Sequence, residues 1–254
     1  MSLDGEGQQL YGDITYSSYI FRDLEFNCHC YSISHLKMTE KIFTEDDFDL
    51  FRDAARIICV GPSNSGKSQI IKKIIERDHS KFDRIVLCGS NAKNFGFDEY
   101  LANKVIFRDD VTNPFDEKIS PSCRLFIIYD DLYEKITNDI NILRCFTRGR
   151  HESISICVTM QNLFSRVGKF NRDILLNASH FFLTRQRDLG SVEILSRQIV
   201  GSKSSKKLLE AYKLAISKPF THFLIDVRVD TPQELMLQSN TFCEEYPFIR
   251  VFQI

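Results

Sequence analysis

The sequence predicts an α/β chain with a mainly parallel central sheet covered by helices on both faces. Three observations carry this prediction. Short, nearly continuous apolar runs such as Leu125-Phe126-Ile127-Ile128-Tyr129 recur along the chain, as strands buried on both faces require. Amphipathic stretches alternate with these runs from Arg56 onward, the pattern of βαβ crossovers. Between the first run and the first amphipathic stretch stands Gly61-Pro62-Ser63-Asn64-Ser65-Gly66-Lys67-Ser68, of the form G-x-x-x-x-G-K-S.

That segment reads as a phosphate-binding loop. Residues 56–60 form the strand entering it and residues 69–77 the helix leaving it. Glycines let the backbone curl so that successive N–H groups turn inward toward phosphate oxygens. The helix N-terminus adds partial positive charge. Lys67 is then expected to reach the β- and γ-phosphates of ATP, and the Ser68 hydroxyl to bind Mg²⁺. The nucleotide-binding set runs from Gly61 to Ser68 with Gln69. The competing reading, an accidental Gly/Ser turn, leaves the flanking strand and helix unexplained.

Taken in order, the chain opens with a polar, glycine-rich stretch over 1–12, expected as a tail, followed by mixed aromatic and polar residues over 16–33, where strands are conceivable. Thr44 precedes two acids and an apolar pattern, which suggests a short helix over 44–51. After the loop helix, further strands are expected over 84–88, 105–107, 123–129, 153–159, 179–184 and 222–227. Helices are expected near 98–103, 138–147 and 166–177, and over 189–200 and 204–217, before a Pro-punctuated tail. Neither an internal repeat nor a low-complexity linker interrupts this order, which favours one ATPase domain over 51–242, an appended segment over 1–50 and a tail over 243–254.

Composition narrows the setting. No apolar run approaches the ~20 residues that span a bilayer, and residues 1–9 are polar and acidic, unlike a secretory signal. Eight cysteines fit a compartment where thiols stay reduced, so an intracellular protein is expected. Cys28-His29-Cys30 with His35 has spacing unsuited to a structural zinc site. Net charge is −1, but residues 1–55 hold 4 Lys/Arg against 11 Asp/Glu and the remainder 29 against 23, so an acidic appendage precedes a mildly basic core.

Ligands of such sheets gather at the carboxyl ends of the strands. The run 123–129 ends in Asp130-Asp131, the Walker B form, in which Asp130 supports Mg²⁺ and Asp131 is set to polarise an attacking water. Acids after a strand also start turns or cap helices, and that reading stays open. The run 153–159 leads into Met160-Gln161-Asn162. In the additional-strand (RecA-like) type of P-loop fold this strand lies between the P-loop and Walker B strands, so Gln161 would face the γ-phosphate as a sensor. Arg144, Arg148, Arg150, Arg166, Lys169, Arg172, Arg185 and Arg187 fall in a stretch whose acids are Glu152 and Asp173. Such a set suits DNA phosphates or a solvated basic face, and Arg150 is the first candidate for an arginine finger acting across a subunit boundary.

These elements in this order resemble the viral DNA-packaging ATPases, the poxvirus-type branch of the FtsK–HerA superfamily, with Maverick/Polinton-like ATPases among the nearest. The resemblance rests on Gly61 to Ser68, on Asp130-Asp131, on Phe146-Thr147-Arg148-Gly149-Arg150-His151 and on 154–164, ending Gln161-Asn162-Leu163-Phe164. Asn177-Ala178-Ser179-His180, Lys218-Pro219-Phe220 and Asp230-Thr231-Pro232 add to it. It implies a ring-shaped homo-oligomer, driven by Mg-ATP, that threads double-stranded DNA into a preformed capsid at the assembly site in an infected cell. It implies a capsid or other virion protein as partner and no membrane. The pair here is Asp-Asp where cellular relatives have Asp-Glu, which leaves the identity of the base open. A non-motor P-loop switch and a small-molecule kinase are the rival functions; the kinase requires a lid segment, and the sequence offers none.

Overall fold

Why these residues make a layered sheet is visible in the alternation along single strands. Ile57 and Cys59 of β1 (Arg56–Val60) face one side, and Ile58 and Val60 face the other. The same holds for β2 (Arg84–Cys88), β4 (Leu125–Tyr129) and β5 (Ile154–Met160). Both faces therefore need cover. On one side α1 (Lys67–Asp78) buries Ile70, Ile71, Ile74 and Ile75, joined by Leu101 of α2 (Glu99–Lys104). On the other side α3 (Tyr133–Ile136), α4 (Ile140–Arg148), α5 (Asn171–Leu176) and α6 (Leu189–Ala215) contribute Ile136, Ile142, Phe146, Ile174, Leu208 and Tyr212. Each fully buried side chain of this size contributes about 1.5–3 kcal/mol.

In this computed structural model, which describes residues 43, 48–90, 92–164, 168–242 and 249–254, the remaining strands are β3 (Val105–Arg108), β6 (His180–Leu183), β7 (Phe223–Asp226), β8 (Leu237–Ser239) and β9 (Arg250–Val251). The described residues lie within one compact unit, 36–254. The sheet order is β3-β2-β4-β5-β1-β6-β7-β8-β9. Pairing is parallel from β3 through β6 and antiparallel from β6 to β9. The additional strand β5 thus stands between β1 and β4, as expected for this P-loop type.

Two expectations need correction. The helix expected over 44–51 is replaced, in its described part, by a turn at Leu50–Phe51, because the Asp49 carboxylate accepts the Phe51 N–H at 2.9 Å and Phe51 then packs edge-on against Phe82 and Phe126. The two helices expected over 189–200 and 204–217 are both present, separated within α6 by a kink at Gly201 (φ 75°, ψ 168°). The Pro-punctuated tail supplies two further strands, β8 and, at the sheet edge, β9. The expectations for 1–42, including Cys28, His29, Cys30 and His35, and for Arg166, lie outside the described residues. No helix among the described residues is long and apolar enough to cross a membrane.

Candidate nucleotide-binding site

Strand register assembles the site. Val60 pairs with Met160 and Tyr129 with Val158, so the segments leaving β1, β4 and β5 emerge side by side at their carboxyl ends. The loop after β1 begins with the Gly61 N–H donating to Met160 O at 3.0 Å. A Cβ at Gly61 would stand 1.8 Å from Thr184 Oγ1 and 2.6 Å from Ser65 Oγ, so only glycine fits. Gly66, at φ 97°, is the N-cap of α1 and turns the chain into the helix in a left-handed conformation. Ser68 and Gln69 are exposed in the first turn, where the helix N–H groups have no partners within the helix.

Lys67 is half-buried and donates to the carbonyls of Gly61 at 2.7 Å and Pro62 at 2.9 Å. Burial lowers its pKa, against the pull of the Asp130 and Asp131 charges. The Ser68 hydroxyl donates to Asp130 Oδ2 at 3.2 Å, which joins the loop to the end of β4. Burial raises the Asp130 carboxyl, opposed by hydrogen bonds from Thr159 and Ser68 and by Lys67. Asp131 is exposed with φ 58°, and Gln161 Nε2 stands 3.5 Å from its Oδ1, at the limit of hydrogen bonding. An open cavity of about 420 Å³ lies beside them, lined by residues that include Asp131, Thr159, Gln161 and Asn162.

The structure therefore brings together Gly61, Pro62, Ser63, Asn64, Ser65, Gly66, Lys67, Ser68 and Gln69 with Asp130, Asp131 and Gln161. Ser68 Oγ and the Asp130 carboxylate are adjacent hard oxygen donors, a set that suits Mg²⁺ with most of its waters retained. Among the described residues there is no cluster of three or more His, Cys, Asp or Glu that could hold a metal ion.

Arg150 is not brought to this site within the chain. It lies in the turn Gly149–Glu152 before β5, at the opposite end of the sheet, where its charge adds to burial in lowering the pKa of Arg56. The other arginines are dispersed. Arg185 binds the carbonyls of Ile216 and Ser217, and Arg144 lies over the Phe115 ring, while Arg148 and Arg172 are exposed.

Sequence reasoning missed the residues that brace the site. Thr159 Oγ1 donates to Asp130 Oδ1 at 2.9 Å and accepts from the Asp131 N–H at 2.9 Å. Thr184 Oγ1 donates to Ser65 Oγ at 2.7 Å, and Gln186 Nε2 donates to Val60 O at 2.8 Å. The signal that was present is a hydroxyl near the carboxyl end of a strand: Thr159 is next to last in β5, and Thr184 directly follows β6. A second polar chain, Ser179, His180 and Asp226, has a Ser-His-Asp order but is buried away from solvent. Ser179 Oγ donates to Arg56 O at 3.1 Å, so this chain ties strands together.

Known structures share this architecture. The genome packaging NTPase B204 from Sulfolobus turreted icosahedral virus 2, in complex with AMPPCP, aligns with TM-score 0.51 at 17% identity, over 70% of this chain and 95% of B204. The chain has the B204 fold. The complex of B204 with ATP-gammaS gives TM-score 0.50 at 17% identity, over 72% of this chain and 94% of B204. The pCW3 conjugation coupling protein TcpA aligns with TM-score 0.50 at 13% identity, over 82% of this chain and 68% of TcpA. No protein-family model and no curated protein matches the chain.

Proposed function

We propose that the chain is a Mg-dependent ATPase of the poxvirus-type FtsK–HerA branch, a homo-oligomeric motor that moves double-stranded viral DNA into a preformed capsid. The observation that carries this reading is the meeting of Ser68 with Asp130 and of Asp131 with Gln161 at the ends of β1, β4 and β5, with β5 between the other two. The B204 and TcpA folds support it as analogy.

The loop N–H groups and Lys67 bind the polyphosphate, and the Thr184–Ser65 bond holds the loop in shape. Ser68, and Asp130 through the metal's water shell, would hold Mg²⁺, which when bound would supply positive charge to neutralise the polyphosphate. Asp131 takes a proton from water as the water oxygen bonds to the γ-phosphorus, and the bond from that phosphorus to the β–γ bridging oxygen breaks, giving ADP and phosphate. Gln161 orients that water or a γ-oxygen and passes the loss of phosphate to β5. Arg150, at the far end of the sheet, acts on the site of a neighbouring subunit, and the exposed arginines hold DNA phosphates without reading bases. Residues 51–242 carry the ATPase, and the acidic segment 1–50 docks a capsid or other virion protein.

The test compares nucleotide binding with turnover in the full chain. Asp131→Asn is expected to bind ATP as the wild type does and to lower turnover by about 10²–10⁴-fold, the range for loss of a general base. A mass measurement in ATP is expected to show an oligomer. A wild-type chain that binds ATP as a monomer, turns it over slowly and ignores Asp131→Asn would instead be a nucleotide switch.

A further inference from the structure

One aromatic ring beside the phosphate loop has no task in the site described so far. Phe220 is 77% exposed, and its backbone sits at φ 59°, a conformation that bulky residues rarely adopt. A Cβ at Gly66 would meet Phe220 Cδ1 at 3.7 Å and Phe220 Cα at 3.9 Å, so ring and loop are neighbours. Core burial accounts for neither the exposure nor the strain, and strain of this kind collects at ligand sites.

The turn that carries the ring is held firmly. Thr221 Oγ1 donates to Lys218 O at 2.8 Å across it. Arg185 Nη2 donates to Ile216 O and Ser217 O, both at 3.0 Å, just ahead of the turn. Thr184, the residue before Arg185, donates to Ser65 Oγ of the loop at 2.7 Å. Two consecutive residues thus grip the phosphate loop on one side and the approach to the aromatic turn on the other. A nucleotide carries its phosphates and its base at opposite ends, so an exposed aromatic face beside a phosphate loop is a candidate surface for the base.

We infer that Phe220 is the stacking platform for the nucleobase of the nucleotide held at 61–68, and that Arg185 is the positioning residue that sets its distance from the loop. The inference rests on the nucleotide-site reading above. A bare π-face reads no hydrogen-bonding pattern, so Phe220 by itself favours large bases over small ones without naming one.

The full chain contains no Trp, so Phe220→Trp introduces a single emitter at the site. Its emission is expected to fall on addition of Mg-ADP and to stay constant with inorganic tripolyphosphate. By calorimetry, Phe220→Ala is expected to weaken Mg-ADP about tenfold and leave tripolyphosphate unchanged, with Phe220→Tyr restoring ADP affinity. Arg185→Gln should show the same selective loss, to a smaller extent. Unchanged ADP affinity in Phe220→Ala, an equal loss for both ligands, or a loss that appears only as the oligomer dissociates would overturn the assignment. The last outcome would make Phe220 a contact between copies. A wild-type chain that binds neither ligand would overturn the nucleotide site itself.

Discussion

One hydroxyl, that of Thr159, fixes both acids of the site. It donates to Asp130 Oδ1 and accepts from the Asp131 N–H, holding the left-handed backbone that presents the second carboxylate. Thr159→Val keeps the shape and removes both bonds. Loss of a hydrogen bond to a charged group is worth about 1.5–3 kcal/mol, so we predict about 10–100-fold slower ATP turnover. ADP affinity should change by less than about threefold. Steady-state rates beside calorimetry check this, and an unchanged rate would remove Thr159 from the account. Gly61 is fixed by contact instead. A methyl there would collide with Thr184 Oγ1, so Gly61→Ala is expected to lower unfolding free energy by about 1–3 kcal/mol. Thr184→Ala should recover part of that loss in a double-mutant cycle followed by urea denaturation, whereas additive losses would show that the two positions act separately.

At the scale of elements, the antiparallel extension β7–β9 depends on buried polar groups whose protonation is unfavourable. His222, just before β7, bonds through Nε2 to Thr241 Oγ1 at 2.6 Å and packs against the Phe182 and Phe242 rings, which stack on each other. Burial, with the Lys73 charge, lowers its pKa from 6.5 to about 4. Between those values the unfolded chain binds a proton that the folded chain refuses. The stabilisation is therefore complete above pH 6.5 and lost as pH falls to about 4, amounting to about 3 kcal/mol. Burial lowers the pKa of His180 as well, which adds in the same direction. Urea midpoints across this range are expected to fall with pH, less so in His222→Gln; equal slopes in the two proteins would contradict the assignment.

The extension also shows where the sequence was legible and where it was not. Strands of five to seven residues such as β1, β4 and β5 are legible as apolar runs. Three residues in β8 and two in β9 are too few for any period to register. Asp130, Asp131 and Gln161 stood out because polar residues follow apolar runs, while Thr159 and Thr184 were hidden because a β-branched residue already belongs in a strand. Arg150 was legible as an arginine but not as distant from the loop, since its place depends on which end of a parallel strand it adjoins.

For the whole molecule, the proposal joins an ATPase site to a charge distribution suited to DNA. Excess Lys/Arg after residue 55 and the exposed Arg148, Arg150 and Arg172 offer contacts to phosphates, while the acidic segment before it would be repelled by the same polyanion, in keeping with the proposed protein partner. In the proposed oligomer, an Arg150 that lies far from its own phosphate loop would give the assembly a mechanical role. Hydrolysis in one subunit would depend on a side chain from the next, so firing would be coupled around a ring. The most direct measurement is ATP turnover by the full chain, with and without double-stranded DNA of arbitrary sequence, across a salt series from about 50 to 200 mM. The account predicts that DNA raises turnover, that the rise shrinks as salt increases, and that Lys67→Ala abolishes turnover under every condition. Turnover indifferent to DNA at low salt, or preserved in Lys67→Ala, would contradict it.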